Sequence, residues 1–374
     1  MVLGIDERID GVNLGNWLVL EKWMDPKPFT RSAEDDEIWM HRTHVSLWSE
    51  RNLAEELRRH RETYITLEDF RIIVGHGINL VRIPIPYFIF GDWPGHPGCI
   101  TYLDRAFRWA RETGLKIMID LHTVPESQNG FDNGGLTGVC KWAQNTDLVE
   151  YTLNVLERLA RRYRDEPALH SIEVLNEPVS WSVFHSTSNT AKDSHEASGS
   201  TYVSLRFLKR FYRDAYARLR AVLRPETVIV FHDGFRLLRW GGWFRRAGMR
   251  NVMLDTHQYL IAMEDPLFSG PARRLYLRSR RLPWWARVVS PFVRRLVVFP
   301  CWWASGAWRI SGPYTAKTDR LHTAKCHDCN ARHGTCRRDR SIGATSLRAP
   351  RNRVVAKGNR RGILATAAIL RRGI

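Results

Sequence analysis

The chain has 374 residues, of which 44% are hydrophobic and 15 are tryptophan, and it carries a formal net charge of +18. This length allows one large core such as a barrel, and the hydrophobic content excludes a wholly disordered chain. No apolar run reaches the roughly 18 residues of a transmembrane helix, so we expect no membrane partner. The N-terminus shows no run typical of a signal peptide, and we therefore expect a cytoplasmic protein.

The positive charge is confined to one part of the chain. Residues 265–374 hold 24 lysines and arginines against four aspartates and no glutamate, whereas residues 1–264 hold 33 basic and 35 acidic residues. Globular segments normally mix both signs of charge. We therefore divide the chain into an N-terminal domain, residues 1–264, and a basic, irregular tail, residues 265–374. The near-neutral first part also argues against nucleic acid as a partner.

Short apolar runs alternate with longer amphipathic segments up to about residue 260, which is typical of repeated strand-helix units. The predicted strands lie at 9–14, 78–83, 115–121, 171–176, 227–232 and 252–257. The predicted helices lie at 67–76, 101–113, 147–164, 201–223 and 236–247. Residues 25–65 are read as an insertion after the first strand. Six such units predict an α/β protein, a (β/α)8 barrel whose last two units are missing or scrambled.

Polar side chains follow four of these predicted strands. They belong to Arg82-Ile83-Pro84, Asp120-Leu121-His122, Asn176-Glu177-Pro178 and Asp255-Thr256-His257. The carboxyl ends of parallel barrel strands meet at one rim, where active sites are built. A glutamate at this rim, beside an asparagine amide that can hold a sugar hydroxyl, is typical of glycosidase chemistry.

These motifs, together with Gly11-Val12-Asn13-Leu14-Gly15-Asn16-Trp17-Leu18 and the string from Ser127 to Asn133, resemble the exo-β-1,3-glucanase branch of glycoside hydrolase family 5. The resemblance covers about residues 9–262. It implies a (β/α)8 barrel that cleaves β-glucosidic bonds of β-glucans or β-glucooligosaccharides with retention. It implies neither a metal nor an organic cofactor.

The resemblance also assigns roles to single residues. Glu177 matches the acid/base catalyst, and Asn176 matches the residue that contacts the sugar 2-hydroxyl. The other matched positions are substrate-binding or orienting: Arg82 and His122 beside the catalytic carboxylates, His257 and Tyr259 near the nucleophile, Glu21 and Asp132 on the terminal glucose, and Phe131 as an aromatic contact.

The nucleophile is the missing part of this assignment. A retaining mechanism needs a second carboxyl group about 5–5.5 Å from the first, and in the family it is a glutamate after the seventh strand. The last glutamate of this chain is Glu264, which follows the sixth-strand motif too closely for that role. A reading-frame change between about 264 and 275 explains both the lost glutamate and the arginine-rich tail, so the nucleophile is unknown and we expect this chain to be inactive.

The tail offers a competing interpretation. His322, Cys326, Cys329, His333 and Cys336 form a cluster that could bind zinc, and the neighbouring arginines could contact phosphates. The alternative function is therefore a non-catalytic carbohydrate-binding, zinc-binding or nucleic-acid-binding derivative. Against it, the basic residues of the tail do not recur at helical or strand spacing.

Overall fold

The computed structural model describes residues 9–187 and 189–257 in full, and the backbone of two further strands at 301–302 and 366–369. All of them belong to one compact unit. The predicted division of the chain near residue 264 and the cysteine-histidine cluster of the tail lie outside the described residues.

Six parallel strands form the centre of the sheet, and they pair in the order in which they occur along the chain. They are β1 (Asp10–Asn13), β2 (Leu80–Ile85), β3 (Lys116–Leu121), β4 (Leu169–Glu173), β5 (Val228–His232) and β6 (Val252–Asp255). The main helices are α1 (Glu37–Leu47), α2 (Glu50–Tyr64), α3 (Leu67–Gly75), α4 (Ile100–Thr113), α5 (Thr146–Tyr163) and α8 (Leu205–Val222). Shorter helices are α6 (Trp181–Ser186), α7 (Ser194–Ala197) and α9 (Trp243–Arg246).

Two short strands flank this sheet. Strand β7 (Cys301–Trp302) pairs parallel with β6, and β8 (Thr366–Ile369) pairs antiparallel with β1. A closed (β/α)8 barrel has eight parallel strands, so the antiparallel β8 does not supply a barrel unit. The described sheet is therefore an incomplete barrel, as the sequence predicts.

Residues alternate between the two faces of each strand, as the period of two requires. Val81, Ile83 and Ile119 belong to the large core shared with the helices. Their neighbours Leu80 and Met118 join a smaller cluster on the concave face. Further along the strands this concave face becomes polar, and its buried charged side chains belong to Arg82, Asp120, Glu173 and Asp255.

Local sequence explains where the helices begin and end. The Asp69 carboxylate accepts a hydrogen bond from the Thr66 amide at 2.8 Å, which caps the start of α3. Gly114 ends α4 in the left-handed conformation with φ +79°, which costs glycine little. One predicted helix, 236–247, is wrong in part: it is a 3-10 turn (Leu237–Trp240) followed by α9, because Gly242 takes φ +65° between them.

The long segment 25–65 folds into a 3-10 turn (Lys27–Phe29), α1 and α2. Within the described residues, no helix is long and apolar enough to span a membrane. Cys99 and Cys140 are buried free thiols.

Candidate active site

A buried arginine ties together the carboxyl ends of three neighbouring strands. The Arg82 guanidinium lies 3.0 Å from an Asp120 oxygen and 2.8 Å from a Glu173 oxygen. It also donates hydrogen bonds to the side-chain oxygens of Asn13 at 3.1 Å and Asn176 at 2.9 Å. Burial alone would lower the pKa of Arg82, but the surrounding carboxylates raise it, so the guanidinium stays charged.

Asn176 is oriented from several sides. Its amide oxygen accepts the hydrogen bond from Arg82, and its amide nitrogen lies 3.5 Å from Nε2 of His122. His122 is held in turn by Asp120, with 2.6 Å between Nδ1 and Oδ2. Gln128 donates to the backbone oxygens of both His122 and Asn176 at 2.8 and 2.9 Å, which joins the loops after β3 and β4. The amide group of Asn176 is therefore held in one orientation by contacts within the chain.

Glu177 lies just beyond β4 in a left-handed backbone conformation with φ +45°. Such a conformation is uncommon for residues other than glycine and often marks functional positions. The side chain is buried, and one carboxylate oxygen lies 2.6 Å from Nδ1 of His257. The other oxygen accepts a hydrogen bond from the Asn133 amide at 3.0 Å. Burial would raise the pKa of Glu177, but the hydrogen bond and charge of His257 lower it below its usual range.

His257 lies between two carboxylates. Its second ring nitrogen is 3.1 Å from an Asp255 oxygen. Burial would lower the pKa of His257, but Asp255 and Glu177 raise it to about 10. At neutral pH the site therefore holds an imidazolium that donates one N–H to each carboxylate.

His232 packs against His257, with their rings edge to face and 4.5 Å between centroids. Its Nδ1 accepts the Gly234 amide at 3.0 Å, and burial lowers its pKa to about 3, so it is neutral. Glu177, His232 and His257 bring possible ligand atoms within 4.8 Å of one another. Glu173, Asp255 and His257 form a second such group. A metal ion bound at either place would have to displace the proton of His257.

The two residues assigned to the terminal glucose lie on separate loops. Glu21 is buried, and its carboxylate accepts the indole N–H of Trp23 at 2.8 Å. Burial raises the pKa of Glu21, while the nearby His122 opposes the rise. Asp132 lies at the exposed edge of the site, where partial burial and the charge of Glu177 raise its pKa. Phe131, the preceding residue, is half buried against the core.

The structure brings most of the predicted site residues together. Arg82 and His122 contact Asn176, whereas His257 and Asn133 hold Glu177. Tyr259 and Glu264 lie outside the described residues. The roles taken from the resemblance stay predictions.

Sequence reasoning passed over several residues that complete the site. Asn133, which binds Glu177, stands in a string that we quoted without giving that residue a role. His232 and Glu173 are the last residues of β5 and β4, as Asp255 is of β6. His232 also ends the predicted strand 227–232, so its position was a signal that could have identified it, whereas Glu173 lies inside the predicted strand 171–176.

The chain is similar to known proteins in sequence and in fold. The family model for the cellulase domain of glycosyl hydrolase family 5 matches residues 52–233. The glucan 1,3-beta-glucosidase of Blumeria graminis is 36% identical over 272 residues, 71% of this chain and 58% of that protein. The probable glucan 1,3-beta-glucosidase A of Emericella nidulans is 39% identical over 259 residues, 68% of this chain and 58% of that protein. The chain thus spans less than two thirds of the length of these relatives.

A solved structure extends the similarity to the fold. The crystal structure of rutinosidase from Aspergillus niger superposes with a TM-score of 0.64 at 21% identity, over 86% of each chain. At this identity the likeness concerns the fold alone. The sequence matches, in contrast, show the family: residues 52–233 form a cellulase domain of glycosyl hydrolase family 5, and the chain is similar to the glucan 1,3-beta-glucosidases.

Proposed function

We propose that this site is built to cleave β-glucosidic bonds of β-glucans or β-glucooligosaccharides with retention, and that Glu177 is the acid/base. The observation that carries the proposal is the Glu177 carboxylate, buried at the carboxyl rim and held at 2.6 Å by His257 and at 3.0 Å by Asn133. Asn176 lies next to it with its amide fixed by Arg82. An oriented carboxyl group beside an oriented amide is what protonation of a glycosidic oxygen requires.

The lowered pKa of Glu177 raises the question of where the proton comes from. A general acid must be protonated when the leaving group departs, and in the ligand-free site the proton lies on His257. A sugar that binds at the rim covers the pair, and a less polar environment disfavours two separate charges. The proton then moves from His257 to Glu177 and from there to the glycosidic oxygen.

The distribution of carboxylates favours recognition of a terminal glucose, hence exo action. Glu21 and Asp132 lie close enough to Glu177 for the charge of Glu177 to raise the pKa of both. Carboxylates beside a reacting sugar ring can accept hydrogen bonds from its hydroxyl groups. The names of the similar proteins support a β-1,3-linked substrate.

We further propose that this chain is inactive because it has no nucleophile. The family's nucleophile follows the seventh strand. Here β7 consists of Cys301–Trp302, the four residues after it contain no carboxylate, and no glutamate occurs after Glu264. Without a nucleophile no glycosyl-enzyme intermediate forms.

External azide tests this proposal on the chain itself. Azide can occupy the space of a missing carboxylate, attack the anomeric carbon from that face and expel dinitrophenolate from dinitrophenyl β-glucoside. We expect no turnover without azide and formation of α-glucosyl azide with it. Turnover without azide would refute the claim of a missing nucleophile, and no reaction in either case would count against the catalytic site.

A frame-corrected chain provides the second comparison. It should hydrolyse aryl β-glucosides and laminari-oligosaccharides with retention, observable by NMR of the first-formed anomer. Glu177→Gln in that chain should lower kcat on substrates with poor leaving groups by about 10²–10⁴-fold, and an unchanged rate would exclude Glu177 as the acid.

The alternative function is non-catalytic binding through the basic tail. It predicts that the whole chain binds zinc or nucleic acid, and that this binding is lost when the tail cysteines are replaced. A cytoplasmic location likewise stays a prediction, which cell fractionation tests.

A further inference from the structure

The first turns of α1 contact three of the loops at the rim of the sheet. We call residues 34–42 the strap. They lie in the segment between β1 and β2, which the sequence indicated only as an insertion. The strap contacts the loops that follow β1, β3 and β4. The loops after β1 and β3 carry Glu21 and Asp132, the two carboxylates assigned to the terminal glucose.

The strongest contacts join the strap to the loop after β3. One oxygen of Asp36 accepts the Thr137 amide at 2.9 Å, and the Ile38 amide donates to the Gly135 oxygen at 3.0 Å. Ile38 also packs in one buried cluster with Leu136. These residues follow directly on the 3-10 turn that begins with Asp132, so the strap fixes the loop that carries Asp132.

A second set of contacts joins the strap to the loop after β1. The side chain of Met40 lies in a buried cluster with Leu20, the residue before Glu21. Lys22, the residue after Glu21, forms an ion pair with Asp35 at 2.6 Å. The exposed ion pair contributes little, and the burial of Leu20 is the stronger link.

The third set reaches the loop after β4. Arg42 forms two hydrogen bonds with the Glu196 carboxylate, at 2.8 and 2.9 Å. Lys192 is paired with Glu34. The cationic groups of Arg42 and Lys192 also lie over the ring of Trp39, at 4.9 and 4.8 Å from its centroid.

From these contacts we propose that the strap sets the separation of Glu21 and Asp132, and that Asp36 is a positioning residue for recognition of the terminal glucose. The inference rests on the proposed function, because it gives those two carboxylates a sugar to bind. Asp36 can be tested because it has two separable roles. Its first oxygen caps α1 by accepting the Trp39 amide at 2.8 Å, and only its second oxygen reaches Thr137.

Replacement of Asp36 by serine separates these roles. Serine is a good N-cap residue, but it has only one side-chain oxygen and is too short to serve both amides. Asp36→Ala removes both bonds. Ser49→Ala is the matched control, since Ser49 caps α2 through the Asn52 amide at 3.2 Å and that bond joins no other loop.

The measurement is calorimetric titration of the full chain with a glucose-configured iminosugar, with melting temperatures recorded in parallel. Asp36→Ser should weaken binding about tenfold, which corresponds to the loss of one hydrogen bond to a buried acceptor, and should melt only slightly earlier than the wild type because the cap of α1 remains. Asp36→Ala should weaken binding equally and melt earlier than Asp36→Ser. Ser49→Ala should melt earlier and bind normally.

Amide hydrogen exchange makes the strap testable without a ligand. In Asp36→Ser the Thr137 amide and the amides of residues 20–23 and 131–136 should exchange faster together, by about tenfold at Thr137. Unchanged exchange there, or wild-type affinity in Asp36→Ser, would overturn the strap proposal. A wild-type chain that binds no iminosugar would instead count against the proposed function, and the exchange rates would still decide the role of the strap.

Discussion

Replacing His257 by glutamine removes the cation that holds Glu177 ionised. Glutamine can still form a hydrogen bond, but it carries no charge. Burial, which raises the pKa of Glu177, is then opposed only by weaker interactions such as the Asn133 hydrogen bond. We therefore expect the pKa of Glu177 to rise from below its usual range towards or above its ordinary value of 4.5.

The same replacement has a pH-dependent effect on stability. His257 has a pKa of about 10 in the folded protein against 6.5 for an ordinary histidine. Its contribution is therefore fully present below pH 6.5 and is lost as the pH rises through about 10. The raised pKa of His257 contributes about 4 kcal/mol to the free energy of unfolding at pH 7, about 3 kcal/mol at pH 8 and less than about 1 kcal/mol at pH 10.

The lowered pKa of Glu177 gives a contribution to stability with the opposite dependence on pH. It contributes stability above the ordinary pKa of 4.5, and that contribution is lost as the pH falls through the lower folded value. Below pH 4 the wild-type protein should therefore lose part of its advantage over His257→Gln again. The difference in the free energy of unfolding between the wild-type protein and His257→Gln should be largest between pH 4.5 and pH 6.5, where both contributions are fully present.

Two measurements check this reasoning. Carbon NMR of glutamate carboxyl groups, with the Glu177 signal identified by its loss in Glu177→Gln, reports the pKa directly. Urea unfolding at several pH values reports the difference in stability. Asn133→Ala is the control, because it removes a neutral hydrogen bond from the same carboxylate. A pKa change in His257→Gln no larger than in Asn133→Ala, or a stability difference independent of pH, would refute the charged pair.

Further predictions concern the frame around the site. Arg82→Met leaves two buried carboxylates without their cation and should lower the free energy of unfolding by about 3–5 kcal/mol. Arg71→Met, at an exposed ion pair, should lower it by less than about 1 kcal/mol. Equal effects of the two replacements in denaturant titrations would contradict the burial argument. Gly138→Ala should cost at least about 3 kcal/mol, because φ is +76° and the new Cβ would lie 2.3 Å from the Ala191 backbone nitrogen. Gly77→Ala, with φ +77° and nothing within 4 Å, should cost only about 1 kcal/mol, and similar melting temperatures for the two variants would show that no clash exists.

The repeated pattern of apolar strand and amphipathic helix was enough to predict six parallel units, because burial on both faces of a strand and on one face of a helix leaves a periodic record in the chain. It also placed Arg82, Glu177 and His257 at one rim, since the carboxyl ends of parallel strands share an edge. The break between Leu237 and Arg246 was missed because a glycine pair tolerates either a continuing helix or a turn.

The sequence by itself determined which residues stand at the rim, and the tertiary structure decided which of them act on one another. Nothing local shows that His257 pairs with Glu177, 80 residues away, or that Arg82 serves Asn176, 94 residues away. Those pairings follow from strand register. The protonation of the pair and the docking of α1 on three loops depend likewise on distances and burial, which arise only when separate segments are packed together.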